Sequence, residues 1–253
     1  MSNHNIFKRV IRFLCYRILK KRILFSSLET ATGTAERVNY LLNFTQGSNY
    51  LEVGVNLGFT FEGVKATNRV AVDPVKRIFV NKSCQFFKIE SDDFFNVNEN
   101  RFDLIFIDGF HEYRQVLRDI INSLNVLNED GIVLIDDVFP TDLKLAAKPW
   151  KALTTRERRG VRNGDFSWQG DVFKAIFLLT DLYEDSLNFC TLTENSHVQM
   201  VIWKKHRFAS FEIPSVELLE FYDNDELSDL LKKGVPISWG CKNLVELGAK
   251  LSG

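Results

Sequence analysis

The feature that most constrains the fold is a series of short apolar runs without polar alternation, several of them followed directly by glycine or acidic residues. Such runs are typical of strands that are buried on both faces, as in a parallel sheet. We assign strands to residues 49–53, 69–73, 85–89, 102–107, 131–135, 187–191 and 198–204. Helical spacing of apolar residues predicts a crossover helix over 116–127 and further helices over 59–65 and 171–182. The predicted fold is an α/β domain with a doubly wound, mostly parallel sheet, helices on both faces and an antiparallel last strand.

The composition is that of an ordinary globular chain and argues against several classes of protein. With 253 residues, 45% hydrophobic and 26% charged, the chain is long enough for a real core in one large domain. A net charge of −1 argues against a dedicated nucleic-acid binder, whose domain should be basic. The four cysteines lie far apart without a CxxC pair, so we expect no zinc ribbon, no disulfide framework and a cytoplasmic location.

Basic charge is concentrated at the N-terminus. Residues 1–28 hold seven basic side chains and no acidic one, interleaved with apolar residues, which predicts a basic amphipathic helix. This helix can dock on the protein itself or on a partner, or it can lie on an anionic membrane surface, peripheral to the inner face of the membrane. No apolar run reaches the ~20 residues that a membrane span needs, and charged residues interrupt what would be the apolar segment of a secretory signal.

We predict three parts of the chain: an N-terminal extension over 1–33, a domain over 34–205 and a C-terminal extension over 206–253. The C-terminal part contains two short amphipathic helix candidates, at 216–221 and 226–232. These helices either cover the sheet or support a homodimer, and the sequence does not choose between the two.

The residues that follow the strands suggest a binding site, because ligands of open α/β sheets bind beyond the carboxyl ends of the strands. The first strand ends in a GxxxG turn, Gly54 to Gly58, with Glu52 before it. The GxGxxG pattern of dinucleotide-binding folds is absent, and an acid before the glycines suits a cationic ligand. Asp73 ends the second strand, where a carboxylate can accept both hydroxyls of a ribose. Ser91 follows the third strand, with polar neighbours that suit an adenine edge; taken singly, each of these features is also explained as a turn or a helix cap.

In this order and spacing, the sequence resembles class I S-adenosylmethionine-dependent methyltransferases over roughly residues 34–205. The phrases that carry the resemblance are Tyr50-Leu-Glu-Val-Gly-Val-Asn-Leu-Gly58, Val72-Asp73-Pro74, Ser91-Asp-Asp-Phe-Phe95, Ile107-Asp-Gly-Phe-His111 and Ile135-Asp-Asp-Val-Phe-Pro140. The resemblance implies a Rossmann-like domain, with the methionine end of the cofactor near the glycine turn, the ribose at the second strand and the adenine at the third. The expected cofactor-binding residues are Glu52, Gly54, Asn56, Gly58, Asp73, Ser91, Asp92 and Asp108.

An acidic cluster is expected where the fourth and fifth strands end, at Asp108, Asp136 and Asp137. Adjacent strands lie about 4.8 Å apart, so these carboxylates should repel one another unless a hard cation such as magnesium neutralises them. Alternatively, Asp108 holds the cofactor and the other two cap a loop without metal. The arrangement resembles the magnesium site of sugar O-methyltransferases in macrolide and aminocoumarin biosynthesis. Catechol O-methyltransferases are similar but have Asn at the place of Asp137.

His111 is the candidate general base, and His111 and Asp108 are the predicted catalytic residues. Histidine titrates near neutral pH, and His111 follows Asp108 by three residues, which places both on one side of a helix. The alternative is a histidine that merely hydrogen-bonds a loop at the start of the crossover helix.

The segment between 138 and 170 shows no strand pattern and leaves the strand that carries the acidic pair, so it is placed to cover the site. Trp150 and Trp168 are candidates for a pocket wall. The arginines at 156, 158, 159 and 162 either recognise a phosphate or carboxylate of the substrate or form a solvated face.

The functional hypothesis is methyl transfer from S-adenosylmethionine, with magnesium, to a hydroxyl of a sugar, glycan precursor or other small molecule, without nucleic acid. Two rivals are a nicotinamide-dependent oxidoreductase and a non-catalytic cofactor-binding module that uses the basic leader to dock. The missing GxGxxG speaks against the first rival.

Overall fold

The computed structural model describes residues 33–75, 84–140, 145, 150–163, 168–193, 198–206, 209–215 and 219. The predicted amphipathic helix over 1–28 and the C-terminal helix candidates at 216–221 and 226–232, apart from Leu219, lie outside the described residues. Within the described ranges, no helix combines the length and apolar character that a membrane span would need.

The described strands form one seven-stranded sheet in the order β3-β2-β1-β4-β5-β7-β6. The strands are β1 (Asn49–Val53), β2 (Asn68–Val72), β3 (Cys84–Phe87), β4 (Phe102–Ile107), β5 (Leu127–Ile135), β6 (Leu187–Leu192) and β7 (Gln199–Lys204). The first five strands pair in parallel, and β7 lies antiparallel to both β5 and β6. The predicted doubly wound, mostly parallel sheet with an antiparallel last strand is confirmed.

Helices lie around this sheet. They are α1, described over 33–45, α2 (Phe59–Gly63), α3 (Ser91–Val97), α4 (Tyr113–Val126), α5 (Thr155–Asn163) and α6 (Val172–Tyr183), with a 3₁₀ turn at Trp150–Ala152. The predicted crossover helix is α4, which starts three residues earlier than its apolar pattern because Glu112 caps it by accepting the N–H groups of Arg114 and Gln115.

Three helices were not predicted from the sequence. Helix α5 corrects the expectation of a structureless segment after β5: only Gly160 is buried in it, so it has no apolar stripe to reveal it. Helix α3 is only seven residues long and buries just Ser91 and Phe94. Helix α1 directly follows the basic leader, where the strand pattern has not yet begun.

Alternate residues of the central strands supply two hydrophobic clusters, one on each face of the sheet. In β4, Ile105 and Ile107 point toward the face covered by α4 and α6, whereas Leu104 and Phe106 point toward the face covered by α1 and α2. All four are at most 1% exposed. Burial on both faces explains why these strands are apolar throughout.

Part of the predicted C-terminal extension contacts the domain. Asn125 exchanges two hydrogen bonds with the backbone of Phe211, and the hydroxyl of Tyr113 donates to the carbonyl of Leu219. Phe211 and Leu219 are buried in the cluster that contains α4 and α6. The described residues after β7 therefore pack against α4 and α6.

Candidate active site

A cleft of about 1020 Å³ opens beyond the carboxyl ends of β1, β2, β4 and β5. It lies where the strand order reverses between β1 and β4, the position expected for ligands of such sheets. The predicted site residues that line it are Glu52, Gly54, Asn56, Gly58, Asp73, Ser91, Asp108, His111, Asp136 and Asp137. Side chains separated by up to 85 positions in the sequence therefore meet in one space.

The glycine loop, residues 54–58, is shaped by close backbone approach. Gly54 has φ +86°, and a Cβ there would lie 2.1 Å from the carbonyl oxygen of Asp108. Asn56 and Gly58 also adopt positive φ, at 46° and 77°. These conformations favour glycine and asparagine, and they bring the loop against the end of β4.

Asp73 organises the same loop from the end of β2. Its Oδ2 accepts the N–H groups of Val55 at 3.1 Å and Asn56 at 2.9 Å, and its Oδ1 accepts that of Val75 at 2.7 Å. The carboxylate thus fixes the loop backbone and still faces the cleft with further lone pairs.

Glu52 presents a buried carboxyl group at the floor of the cleft, 2% exposed. Tyr50 lies on the same face of β1, two residues away, and its hydroxyl donates to Oε2 of Glu52 at 2.6 Å. Burial raises the pKa of Glu52 well above its usual range, and the Asp108 carboxylate raises it further, although the Tyr50 hydrogen bond lowers it. A cationic group bound beside Glu52 would relieve the cost of its buried charge.

At the opposite side of the cleft, α4 contributes two polar residues that the sequence reasoning missed, Gln115 and Asp119. The Gln115 amide lies 3.1 Å from the Ser91 hydroxyl and 3.1 Å from Oδ1 of Asp119. Burial raises the pKa of Asp119 to about 6. Their spacing of four residues on the predicted crossover helix was the available signal, because it puts them on one helix face.

Asp92 is not among the residues that line the cleft. Its carboxylate accepts from Arg118 at 3.2 Å and from Gln115 at 3.1 Å instead. These contacts hold α3 against α4, and the expected contact of Asp92 with adenine stays a prediction.

The chemistry-bearing centre of the cleft is an acid–histidine cluster of Asp108, His111 and Asp137. The imidazole Nε2 lies 3.5 Å from Oδ1 of Asp108, and Nδ1 lies 3.1 Å from Oδ2 of Asp137. Nδ1 is buried, and its short contact with Asp137 has ion-pair distance without hydrogen-bond geometry. Burial is the largest single influence and lowers the pKa of His111, but the carboxylates of Asp137, Asp108 and Asp136 together raise it to about 9.

Asp136 faces away from this cluster. Its Oδ2 accepts from Nε2 of Gln199 at 3.2 Å, and its Oδ1 accepts the backbone N–H of Asp137 at 2.8 Å. Gln199 in turn accepts from Arg37 of α1 at 2.7 Å and donates to the hydroxyl of Thr34 at 3.2 Å. The predicted trio of acids is brought into one cleft, but Asp108 and His111 lie in the loop between β4 and α4 and not on one side of a helix as expected.

The acid–histidine cluster fits a divalent cation. One ligand atom each from Asp108, His111 and Asp137 lies within 4.8 Å of the others. Two carboxylates suit magnesium, and an added imidazole nitrogen widens the choice to transition metals such as manganese. The buried Nδ1 of His111, which lacks a hydrogen bond, is the observation that favours a further ligand here.

Aromatic residues from the segment after β5 cover the cluster. Trp168 stacks on His111 with ring centroids 5.2 Å apart and planes 10° apart, and Trp150 packs edge-on against Trp168. Gly170 has φ +60°, and a Cβ there would lie 1.9 Å from the carbonyl oxygen of His111. This close approach brings Trp168 over the imidazole, but neither Trp168 nor Trp150 is among the residues that line the cleft.

Arginines of α5 lie behind the tryptophans. The guanidinium groups of Arg158 and Arg162 lie 5.9 and 5.8 Å from the centroid of the Trp150 ring. Arg158 also donates to the carbonyl oxygens of Trp150 and Lys151, which anchors it to the protein.

Residues 51–138 match the family model described as "Methyltransferase domain". The matched stretch runs from β1 to just beyond β5 and so contains the glycine loop, Asp73 and the acid–histidine cluster. No curated protein matches the chain.

Solved structures with a similar fold include three methyltransferases. The SAH-bound methyltransferase PaMTH1 of Podospora anserina is 17% identical, with 81% of this chain and 98% of that chain covered and a TM-score of 0.49. The O-methyltransferase TomG of Streptomyces achromogenes, in complex with SAM, is 11% identical, with coverage of 72% and 94% and a TM-score of 0.46. An O-methyltransferase of Bacillus cereus in complex with SAH is 12% identical, with coverage of 74% and 88% and a TM-score of 0.44.

The sheet order, the glycine loop after β1 and the cleft at the switch point define a Rossmann-like α/β domain. The part of the chain that carries this cleft, residues 51–138, is therefore similar to a methyltransferase domain.

Proposed function

We propose that the protein methylates a hydroxyl group of a sugar, a glycan precursor or another small molecule, with a divalent cation, magnesium first, beside the acceptor. The observation that carries this proposal is that one continuous cleft contains both the glycine loop and the acid–histidine cluster. A donor and an acceptor can therefore bind next to each other in one cleft.

The donor side of the proposal assigns S-adenosylmethionine to the residues around the glycine loop. Glu52 faces the cationic methionine end, since a buried carboxyl with a raised pKa gains most from a positive neighbour. Asp73 accepts the ribose hydroxyls while its backbone partners hold it in place. Ser91 and Gln115 meet the adenine edge, where a hydroxyl and an amide lie side by side.

On the acceptor side, Asp108 and Asp137, with the His111 nitrogen next to them, would hold the cation. When bound, a divalent cation lowers the pKa of a hydroxyl and orients it. The hydroxyl oxygen would attack the methyl carbon in line with the carbon–sulfur bond, with the O–C bond forming as the C–S bond breaks and S-adenosylhomocysteine leaving. The charge of the cation would offset the carboxylates that raise the pKa of His111 to about 9, so that a neutral imidazole would be available to accept the hydroxyl proton. Alignment in a closed site supplies much of the rate. Trp168 and Trp150 exclude water on one side of the cluster.

Two experiments test this function. Calorimetric titration should show binding of S-adenosylhomocysteine and none of NAD. Transfer of a labelled methyl group from S-adenosylmethionine to a panel of sugars, nucleotide sugars and catechols should then depend on added magnesium or manganese and stop with EDTA.

A double variant, Asp136→Ala with Asp137→Ala, should abolish turnover and spare binding of S-adenosylhomocysteine. Full activity of this variant without metal would reject the cation. Cofactor binding without transfer to any hydroxylated acceptor would favour the non-catalytic binding module, and NAD binding would favour the oxidoreductase.

A further inference from the structure

A buried polar network joins α1 and β7 to the acidic pair after β5. Its members, Thr34, Arg37, Gln199 and Asp136, are between 0 and 8% exposed. Burying an arginine and an aspartate is costly unless each is paired, because each charge loses its hydration. Gln199, the first residue of β7, lies between the two and hydrogen-bonds both.

The chemistry of the three groups sets the direction of every hydrogen bond. A guanidinium group only donates, so the carbonyl oxygen of Gln199 must face Arg37. The amide nitrogen of Gln199 then points the other way and donates to Oδ2 of Asp136. Both oxygens of Asp136 are engaged, since Oδ1 accepts the N–H of Asp137 at 2.8 Å.

The last of these contacts reaches the acid–histidine cluster. Asp137 has φ +56°, a left-handed conformation that is unfavourable for a residue with a side chain. This backbone turn directs the Asp137 carboxylate to His111, 3.1 Å away, whereas the Asp136 carboxylate is directed to Gln199. The carboxylates of these two adjacent residues therefore contact different partners.

We infer that Asp136 is a positioning residue, which Arg37 and Gln199 hold so that it fixes the backbone of Asp137, rather than a ligand of the cation. The inference rests on the proposed function, because it concerns how the proposed cation-binding carboxylates are oriented. It departs from the sequence-based expectation that Asp136 supplies a third carboxylate. It also gives α1, which directly follows the basic leader, a role in the active site.

The test reverses the polarity of the network. In Asp136→Asn, an amide nitrogen meets the amide nitrogen of Gln199, and two donors face each other. In Gln199→Glu, the new carboxylate faces Asp136, and two acceptors face each other. In the double variant the amide at position 136 donates to the carboxylate at position 199, which still accepts from Arg37, so each hydrogen bond has a donor and an acceptor again.

The first measurement is the affinity for Mn²⁺ alone, taken by electron paramagnetic resonance on the full chain saturated with S-adenosylhomocysteine. Each single variant should weaken Mn²⁺ binding by about 10-fold or more, the usual effect of losing an outer-shell partner. The double variant should return to within about threefold of the starting protein. Asp185→Asn, which removes an exposed carboxylate, is the control for the change of charge and should have no effect.

A double variant that binds Mn²⁺ no better than Asp136→Asn would overturn the inference, because a neutral amide cannot replace a carboxylate ligand. Single variants that bind Mn²⁺ normally would overturn it as well.

The second measurement is thermal unfolding of the same four proteins, which separates this inference from the proposed function. If the unaltered protein binds no Mn²⁺, the cation of the proposed function is wrong. The network is then judged by the midpoints: each single variant should lower the midpoint and the double variant should restore it. Additive losses in the double variant would overturn the inference.

Discussion

At the glycine-loop end of the cleft, the carboxylate of Asp73 accepts hydrogen bonds from three backbone N–H groups. At the other end, Asp108 and Asp137 face the side chain of His111, and Asp136 faces that of Gln199. One end is therefore organised by hydrogen bonds from the backbone, and the other by contacts between side chains. The difference predicts that the two ends respond to different kinds of substitution.

The largest effect is expected where the two ends meet, at Gly54. In Gly54→Ala the new Cβ would lie 2.1 Å from the backbone oxygen of Asp108, at φ +86°. Because backbone cannot yield cheaply, we expect a loss of about 3 kcal/mol or more in the free energy of unfolding, together with loss of S-adenosylhomocysteine binding. Denaturant unfolding and calorimetry measure the two.

Gly109→Ala is the matched control for this substitution. A Cβ there would meet nothing nearer than 3.7 Å, in a residue that also lines the cleft. Equal losses in the two variants would show that the close approach at Gly54 does not hold the ends together.

The same contrast explains how much the sequence could predict. The first five strands were predicted because their residues form continuous apolar runs. The glycine loop, Asp73 and the acids at 108, 136 and 137 were predicted because each follows one of these runs within a few residues. A strand that is buried on both faces is apolar along its whole length, and the sheet then brings the ends of such strands together.

What the sequence could not predict depends on side chains that meet only in the folded chain. Arg37 and Gln199 are 162 residues apart, and neither stands in a pattern that points to the other. Trp168 was expected in a pocket wall, but its stacking on His111 depends on a glycine conformation at position 170. The spacing of Gln115 and Asp119 places them on one helix face, but it does not point to the cleft, because polar residues of an amphipathic helix usually face solvent.

The next largest effect is a pH dependence at the Ser91 end of the cleft. Burial raises the pKa of Asp119 to about 6, with Asp92 adding to the rise and Arg118 opposing it. Between about pH 4 and pH 6 the folded protein binds this proton more tightly than the unfolded chain, so stability falls as the pH rises and stays lowered above pH 6. The full difference is about 3 kcal/mol.

Asp119→Asn removes that titration. Above pH 6 the variant should exceed the unaltered protein in stability by up to about 3 kcal/mol, and below pH 4 the two should agree. Denaturant unfolding at a series of pH values gives the difference, in which other titrating groups cancel. A difference that does not change with pH would contradict the assignment.

A smaller effect is expected from Asp73→Asn, which tests the glycine-loop end directly. An amide keeps one acceptor but loses the charge that strengthens three backbone hydrogen bonds, each worth about 1.5–3 kcal/mol when an ion takes part. We expect the affinity for S-adenosylhomocysteine to fall by about 10- to 100-fold in calorimetry, and Mn²⁺ binding to change little.

Asp103→Asn is the control at the amino end of β4, away from the cleft. Asp103 also accepts two backbone N–H groups, those of Ser48 at 2.8 Å and Asn49 at 2.9 Å, but lies outside the cleft. Asp103→Asn should lower the free energy of unfolding without weakening the binding of S-adenosylhomocysteine. A similar loss of cofactor affinity in both variants would mean that Asp73 acts only through the fold.

The smallest effect is expected at the side-chain end, from Trp168→Ala. The indole stacks on His111 but is not among the residues that line the cleft, so its loss should loosen the imidazole without touching the donor site. An aromatic pair contributes about 0.5–1.5 kcal/mol beyond burial, which corresponds to a decrease in Mn²⁺ affinity of at most about tenfold. Trp168→Phe keeps a ring over His111 and should recover most of that loss. Equal weakening of Mn²⁺ and S-adenosylhomocysteine binding in Trp168→Ala would mean that the two ends of the cleft are not organised independently, because a side chain that stacks on the acid–histidine cluster would then also control the donor site.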